Sequence, residues 1–400
     1  MMLMLRQLSI TALTAALAVT TAAHAGGAAN DPDREARPDG AAGPSRVANG
    51  ALGANFNQNL DSVNYRELRE AGAQWVRGFY PMPATDDGDP AEHFAIRSIR
   101  ETADRGFNTI LALKFPYNRK SFPEPGSDEM AAELARLDQV LPTVMGEVDI
   151  MTIGNEPFIE SLKDERDERL NVFYEAVARH VIEYRREHCG PECGTDLYMG
   201  ALNRLDLPGR RTEAVERWMT FVRETPEIAG VDIHPHVPDP ARVQAFLDYI
   251  LPRMRPDQTF LVTEFSIVWY WRQHMRDPLS AEFAGKYGYD PGTLVWEFIR
   301  AAIENPVGQR EWQDFLTSSD WFMKQSDFLR DQVELYRSTG RLAVTTYGFR
   351  QDVPMTTDFG PNKPPWLLNS VYAAYTVKPR GNGMSARGYW VDDFRALQRR

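Results

Sequence analysis

Eight short apolar runs, each followed by a stretch with helical spacing, constrain this chain more than any other feature. The runs cover residues 53–57, 74–79, 108–115, 148–156, 196–203, 230–236, 259–264 and 342–347. Strands that alternate with helices form parallel sheets, because a parallel crossover needs a helix to return the chain. Most of the runs are apolar throughout, as strands covered on both faces must be. Eight such units predict an α/β fold, a closed (β/α)8 TIM barrel. Helical stretches are expected over 61–71, 93–105, 127–141, 168–188, 213–224 and 240–254, with 365–375 as the closing helix. One unit is oversized. The segment between the seventh and eighth strands holds Trp269, Tyr270, Trp271 and several helical stretches. It predicts a long helical insertion over the C-terminal face, where such barrels keep their sites.

Residues 1–25 read as an export signal: Arg6, an uncharged apolar run over 8–20, and a small-x-small site at Ala23-His24-Ala25. The apolar run is too short to span a bilayer. Residues 26–48 carry few large apolar side chains and read as a flexible leader. Residues 49–400 then form one catalytic-size domain. Export sets the expectation for the only two cysteines, Cys189 and Cys193. They should form a local disulfide at a helix end. Three residues separate them, which is not the spacing of the redox dithiol. The net charge of −11 comes with Lys and Arg interspersed, so nothing in the charge pattern predicts a nucleic-acid partner or a membrane anchor. We expect a monomer.

Chemistry enters at two strand ends. Glu156 closes the fourth run, in Gly154-Asn155-Glu156-Pro157, and Glu264 closes the seventh, after Thr263. Both should project into one barrel mouth. Two carboxyls so placed supply the proton donor and the nucleophile or base that cleavage of a glycosidic bond requires. Pro157 should bias Glu156 towards extended backbone. No metal or organic cofactor is implied.

These residues resemble clan A glycoside hydrolases, which are retaining (β/α)8 enzymes. The resemblance spans the barrel, but its sharp part is Gly154-Asn155-Glu156-Pro157 and Thr263-Glu264. It implies that Glu156 is the acid/base, that Glu264 is the nucleophile, and that Asn155 bonds a sugar hydroxyl. It further implies that Arg77, near the end of the second strand, contacts the nucleophile. His234 or His236, on the sixth strand with Asp232, should lie beside it. Several families of the clan carry a Trp on the eighth strand as a sugar platform. Here Tyr347 or Phe349 takes that place, or Trp269 and Trp271 replace it from the insertion. Asn57, Lys114, Tyr117 and Asn203 lie at other strand ends and are further candidates for substrate contacts. A β-linked glycan is the implied substrate, with hydrolysis and glycosyl transfer both open.

Two rival readings stand beside this one. His234-Pro235-His236 has the His-x-His spacing of some zinc barrels, which would make the chain a metal-dependent hydrolase. A barrel that only binds carbohydrate would use the aromatic residues without needing both glutamates.

Overall fold

The computed structural model describes residues 50–398; the expected export segment and leader lie outside them. Eight strands pair in chain order into a closed, all-parallel barrel. They are β1 (Ala51–Asn57), β2 (Trp75–Pro81), β3 (Asn108–Lys114), β4 (Ile150–Ile153), β5 (Asp196–Asn203), β6 (Ile228–His234), β7 (Thr259–Val262) and β8 (Leu342–Gly348). The (β/α)8 expectation therefore holds, strand for strand.

Each of the first six strands is followed by a helix: α1 (Tyr65–Ala71), α2 (Phe94–Asp104), α3 (Asp128–Val144), α4 (Glu168–Tyr184), α5 (Glu213–Glu224) and α6 (Gln244–Ile250). Local chemistry fixes their starts. Asn64 caps α1, Ser127 caps α3 by accepting from Met130 N at 3.1 Å, and Thr212 caps α5. Asp128 and Glu129 occupy the positive first turn of α3. The helices bury one stripe each, for example Ile96 and Ile99, Leu137 and Leu141, Val177 and Val181, and Trp218 and Val222. Each such side chain contributes about 1.5–3 kcal/mol on leaving water. The barrel has a second, smaller core of Trp75, Ile110, Ile150, Tyr198, Leu261 and Val344. Trp75 lies two residues before Arg77, so both occupy the same side of β2.

The insertion between β7 and β8 is helical, as expected. It comprises α7 (Val268–Gln273), α8 (Ala281–Tyr287), α9 (Val295–Glu304), α10 (Gln309–Thr317), α11 (Asp320–Met323) and α12 (Phe328–Ser338). Its aromatic side chains continue the core that lies between barrel and helices. Phe298 lies 4.5 Å from Phe315, and Trp271 stacks on Phe322 at 5.1 Å. Cys189 and Cys193 are joined, just beyond α4, where its last turn widens over Arg185–Cys189.

One expectation fails. Residues 365–375 do not form the closing helix. After α13 (Val353–Thr356) they give a single turn over Trp366–Asn369 and then β9 (Tyr372–Ala373), paired antiparallel with β10 (Ala386–Arg387). The true last helix is α14 (Val391–Leu397). Residues 367–373 are buried without a break, whereas a surface helix would bury every third or fourth residue. Trp390 Nε1 then donates to the Leu368 carbonyl at 2.7 Å.

This C-terminal segment is fastened to α1 by charge. Glu70 accepts from Arg380 Nη1 at 2.9 Å and Arg387 Nε at 2.8 Å. The Arg380 and Arg387 hydrogen bonds outweigh its burial and hold the carboxyl down to about 2. A carboxyl depressed on folding stabilises above its unfolded pKa, and that stabilisation is lost as pH falls through the folded one. Glu70→Gln should therefore lower stability by on the order of 1 kcal/mol at pH 7. The loss should shrink towards zero as pH falls from about 4.5 to 2. Urea melts at several pH values check both the sign and the window.

Candidate active site

The backbone after β4 turns sharply before it presents its carboxylate. Gly154 has φ +95, and a Cβ there would sit 2.8 Å from the Tyr174 ring. Glu156 itself has φ +44, not the extended backbone expected ahead of Pro157. Its carbonyl accepts from Ile159 N at 2.8 Å and Glu160 N at 2.9 Å, closing the turn that forces this conformation. For a residue with a Cβ the left-handed region costs about 1–2 kcal/mol. The turn and the packing around Asn155 hold it there.

Glu264 follows β7 and is anchored through Thr263. Thr263 N donates to Asp232 Oδ1 at 3.0 Å, and its hydroxyl donates to Asp232 Oδ2. Thr346 on β8 bonds the Thr263 carbonyl at 2.5 Å. Three strands thus fix the backbone beside one carboxylate.

Arg77 is wholly buried rather than a surface Arg at a strand end. Its Nη1 donates to Glu264 Oε1 and Asn57 Oδ1, both at 2.7 Å, and to Asn55 Oδ1 at 3.1 Å. Its Nη2 donates to Asn155 Oδ1 at 2.6 Å. The other end of the Asn155 amide donates to Glu160 Oε1 at 2.9 Å, where Lys114 Nζ also arrives at 2.5 Å. The chain of bonds runs from Glu264 across the mouth to β3. Burial pushes the Glu160 carboxyl up to about 7 against these two donors.

The histidines sit between the two glutamates. His234 is fully buried, with Nδ1 3.2 Å from Glu156 Oε1 and 3.8 Å from Glu264 Oε1. His236 Nε2 lies 3.9 Å from Glu156 Oε1 and 3.6 Å from Glu264 Oε2. Both therefore reach the site, and neither contacts Glu264 alone. His234 Nε2 approaches Thr263 Oγ1 at 2.8 Å. That hydroxyl already gives its proton to Asp232, so it accepts from Nε2–H. The His234 proton that matters to the glutamates is therefore the one on Nδ1.

Electrostatics follow from this packing. Burial opposes ionisation of Glu264, but the charges of His234 and Arg77 and a hydrogen bond from His236 hold it well below the usual carboxylate range. Burial likewise opposes ionisation of Glu156, and His234 more than offsets it, so that carboxyl is also lowered. Burial disfavours the His234 cation, yet Glu264, Asp232 and Glu156 together raise it to about 10.

Other expected contacts divide. Asn203 ends β5 in register with His234, is 7% exposed, and its Nδ2 has no protein acceptor among the described residues. Trp269 is half-buried, with its ring 6.5 Å from that of Trp366. Tyr117 bonds Glu133 at 2.5 Å and is buried away from the glutamates' own hydrogen bonds. Three expected ring positions must be corrected. Tyr347 is fully buried against Phe265 and Trp390, because its place on β8 points into the helix layer. Trp271 is fully buried, and its Nε1 donates to Asn369 at 3.1 Å. Neither exposes a ring to a ligand. Phe349 is likewise buried.

The sequence reading missed Trp366, whose ring lies edge-on to His236 at 4.8 Å and is half-buried. Its signal was the Pro364-Pro365-Trp366 run, which breaks a helix and places an aromatic ring in the loop after β8. Glu160, Asn55 and the anchoring role of Asp232 were missed too. Nothing short of the barrel's closure brings them to Arg77 and Thr263.

No protein-family model matches this chain, and no curated protein does. The solved structures to which it is similar include the Ignisphaera aggregans GH53 catalytic domain, at 14% identity, 88% of this chain, 97% of that chain and a TM-score of 0.43. Xylanase B from Clostridium stercorarium F9 is similar at 14% identity, over 85% of this chain and 95% of that one, with a TM-score of 0.45. A beta-glucosidase from Exiguobacterium marinum is similar at 8% identity, over 87% of this chain and 97% of that one, with a TM-score of 0.47. All three are glycoside hydrolases by name, and at these identities the likeness is one of fold.

Proposed function

We propose that the chain is a glycoside hydrolase that cleaves a β-linked glycan with retention, with Glu264 as nucleophile and Glu156 as acid/base. One observation carries the reading: two partly exposed carboxylates from β4 and β7 meet around His234 Nδ1, and only Glu264 is bonded to a buried guanidinium. That asymmetry is what a nucleophile and a proton donor need.

Arg77 keeps Glu264 charged for attack on the anomeric carbon. The proton for the leaving oxygen starts on His234 Nδ1, which faces Glu156 Oε1 at 3.2 Å. Transfer across that bond, as a bound glycan displaces water, arms Glu156 as the acid. Glu156 then activates water to release the glycosyl enzyme. Trp366 and Trp269 offer ring faces to sugar C–H groups, and Asn203 Nδ2 offers a donor to a hydroxyl. The disulfide supports a site of action outside the cytoplasm. No helix among the described residues is long and apolar enough to cross a membrane.

The decisive assay is cleavage of a panel of β-linked polysaccharides, with product anomers read by NMR. Wild type should cleave with retention, and Glu156→Gln and Glu264→Gln should each lose about 10³-fold or more. Survival of either variant would remove that residue from its role, and an inverted product would make Glu264 a base rather than a nucleophile.

Arg77→Gln probes the electrostatic half of the reading. Without the guanidinium the pKa of Glu264 rises, so the acid limb of kcat/KM should move to higher pH. The variant should also lose on the order of 3 kcal/mol of stability, because Glu264 loses its bonded guanidinium and Asn155 Oδ1 its donor. A pH–rate profile with an unmoved acid limb would detach Arg77 from Glu264 ionisation.

A further inference from the structure

The His-x-His motif finds its third ligand in the structure. His234 Nδ1, His236 Nε2 and a Glu156 carboxylate oxygen all lie within 4.8 Å of one another. Tetrahedral ligands about 2.1 Å from a zinc ion are about 3.4 Å apart. The Glu156 oxygen is 3.2 Å from His234 Nδ1 and 3.9 Å from His236 Nε2, so small side-chain rotations suffice. Glu264 lies alongside, 3.8 Å from the first nitrogen and 3.6 Å from the second.

The surroundings are those of a metal site as well. A ligating histidine is held by a hydrogen bond at its other nitrogen. His234 Nε2 is held by Thr263, which is held in turn by Asp232. His236 Nδ1 is held by Ser266 Oγ at 2.9 Å. A serine hydroxyl accepts or donates by rotation, so His236 Nε2 is free to present a lone pair. Charge agrees: Glu156, Glu264 and Asp232 are three carboxylates, against which Arg77 sets a single permanent cation.

We infer that a zinc-class divalent ion binds His234, His236 and Glu156 and switches the enzyme off by occupying its acid/base. The inference rests on the glycosidase reading for its consequence, but not for the binding itself. The ion is an inhibitor and not a cofactor. It takes the place of the Nδ1 proton and ties up the carboxylate that must donate to the leaving oxygen. No bond in the glycan is polarised by it.

The test separates the two parts. The untagged full chain, stripped with a chelator, is titrated with zinc chloride in a calorimeter with no glycan present. Cobalt(II) chloride in a second titration reports coordination by its visible absorption. One ion per chain is expected, with intense tetrahedral cobalt bands. His236→Ala and the near-isosteric Glu156→Gln should each weaken binding at least tenfold, whereas His180→Ala, on the far surface of α4, should not. No binding, or equal affinity in the site variants with native circular dichroism, would overturn the site. On a cleaved glycan, zinc should inhibit at least tenfold and EDTA should restore the rate. Cleavage that instead requires zinc would overturn the inhibitory role and the carboxylate mechanism together, while the calorimetric site would stand.

Discussion

The buried guanidinium of Arg77 is the constraint on which the rest of the mouth depends. An arginine cannot shed its charge inside a protein, so every donor that leaves water needs an acceptor. Here β1 supplies Asn55 and Asn57, the loop after β4 supplies Asn155, and the loop after β7 supplies Glu264. Those four positions are spread around the barrel. Pairing the two terminal nitrogens of one cation therefore fixes the relative placement of strands that never pair directly, while its Nε has no partner among the described residues. It also explains why the acid next to Asn155 and the carboxylate beyond Thr263 face one another at all.

A second layer of bonds acts through the backbone. Asp232 holds Thr263 by both its amide and its hydroxyl, and the same hydroxyl sets which nitrogen of His234 looks into the cleft. One buried carboxylate thus orients the residue before Glu264 and fixes the imidazole between the two glutamates. Proton transfer or metal binding at His234 Nδ1 are alternative uses of that single lone-pair direction.

How much of this was legible in the sequence follows from the range of each interaction. The barrel was legible because eight apolar runs and their helices are local signals, and chain order equals strand order. The paired glutamates were legible because each ends such a run, and Arg77 because it is the one charge inside the second run. Periodicity failed where a segment is buried without repeating. Around Leu367 and Leu368 a single turn leads into β9 and every residue from 367 to 373 is buried, so the apolar content resembled a helix. Tyr347 and Trp271 were misplaced for a related reason. Strand alternation and helix rotation decide whether an aromatic ring meets solvent or core, and composition does not record that choice. Trp366 and Glu160 lie in loops, where position is set by what the loop packs on.

The left-handed backbone at Glu156 carries a consequence for how this site can change. Glycine is the replacement that best fits that conformation, and it would relieve the strain in the turn. The same exchange deletes the carboxylate. Under the proposed acid/base role, backbone stability and reactivity therefore set opposite demands on this one position.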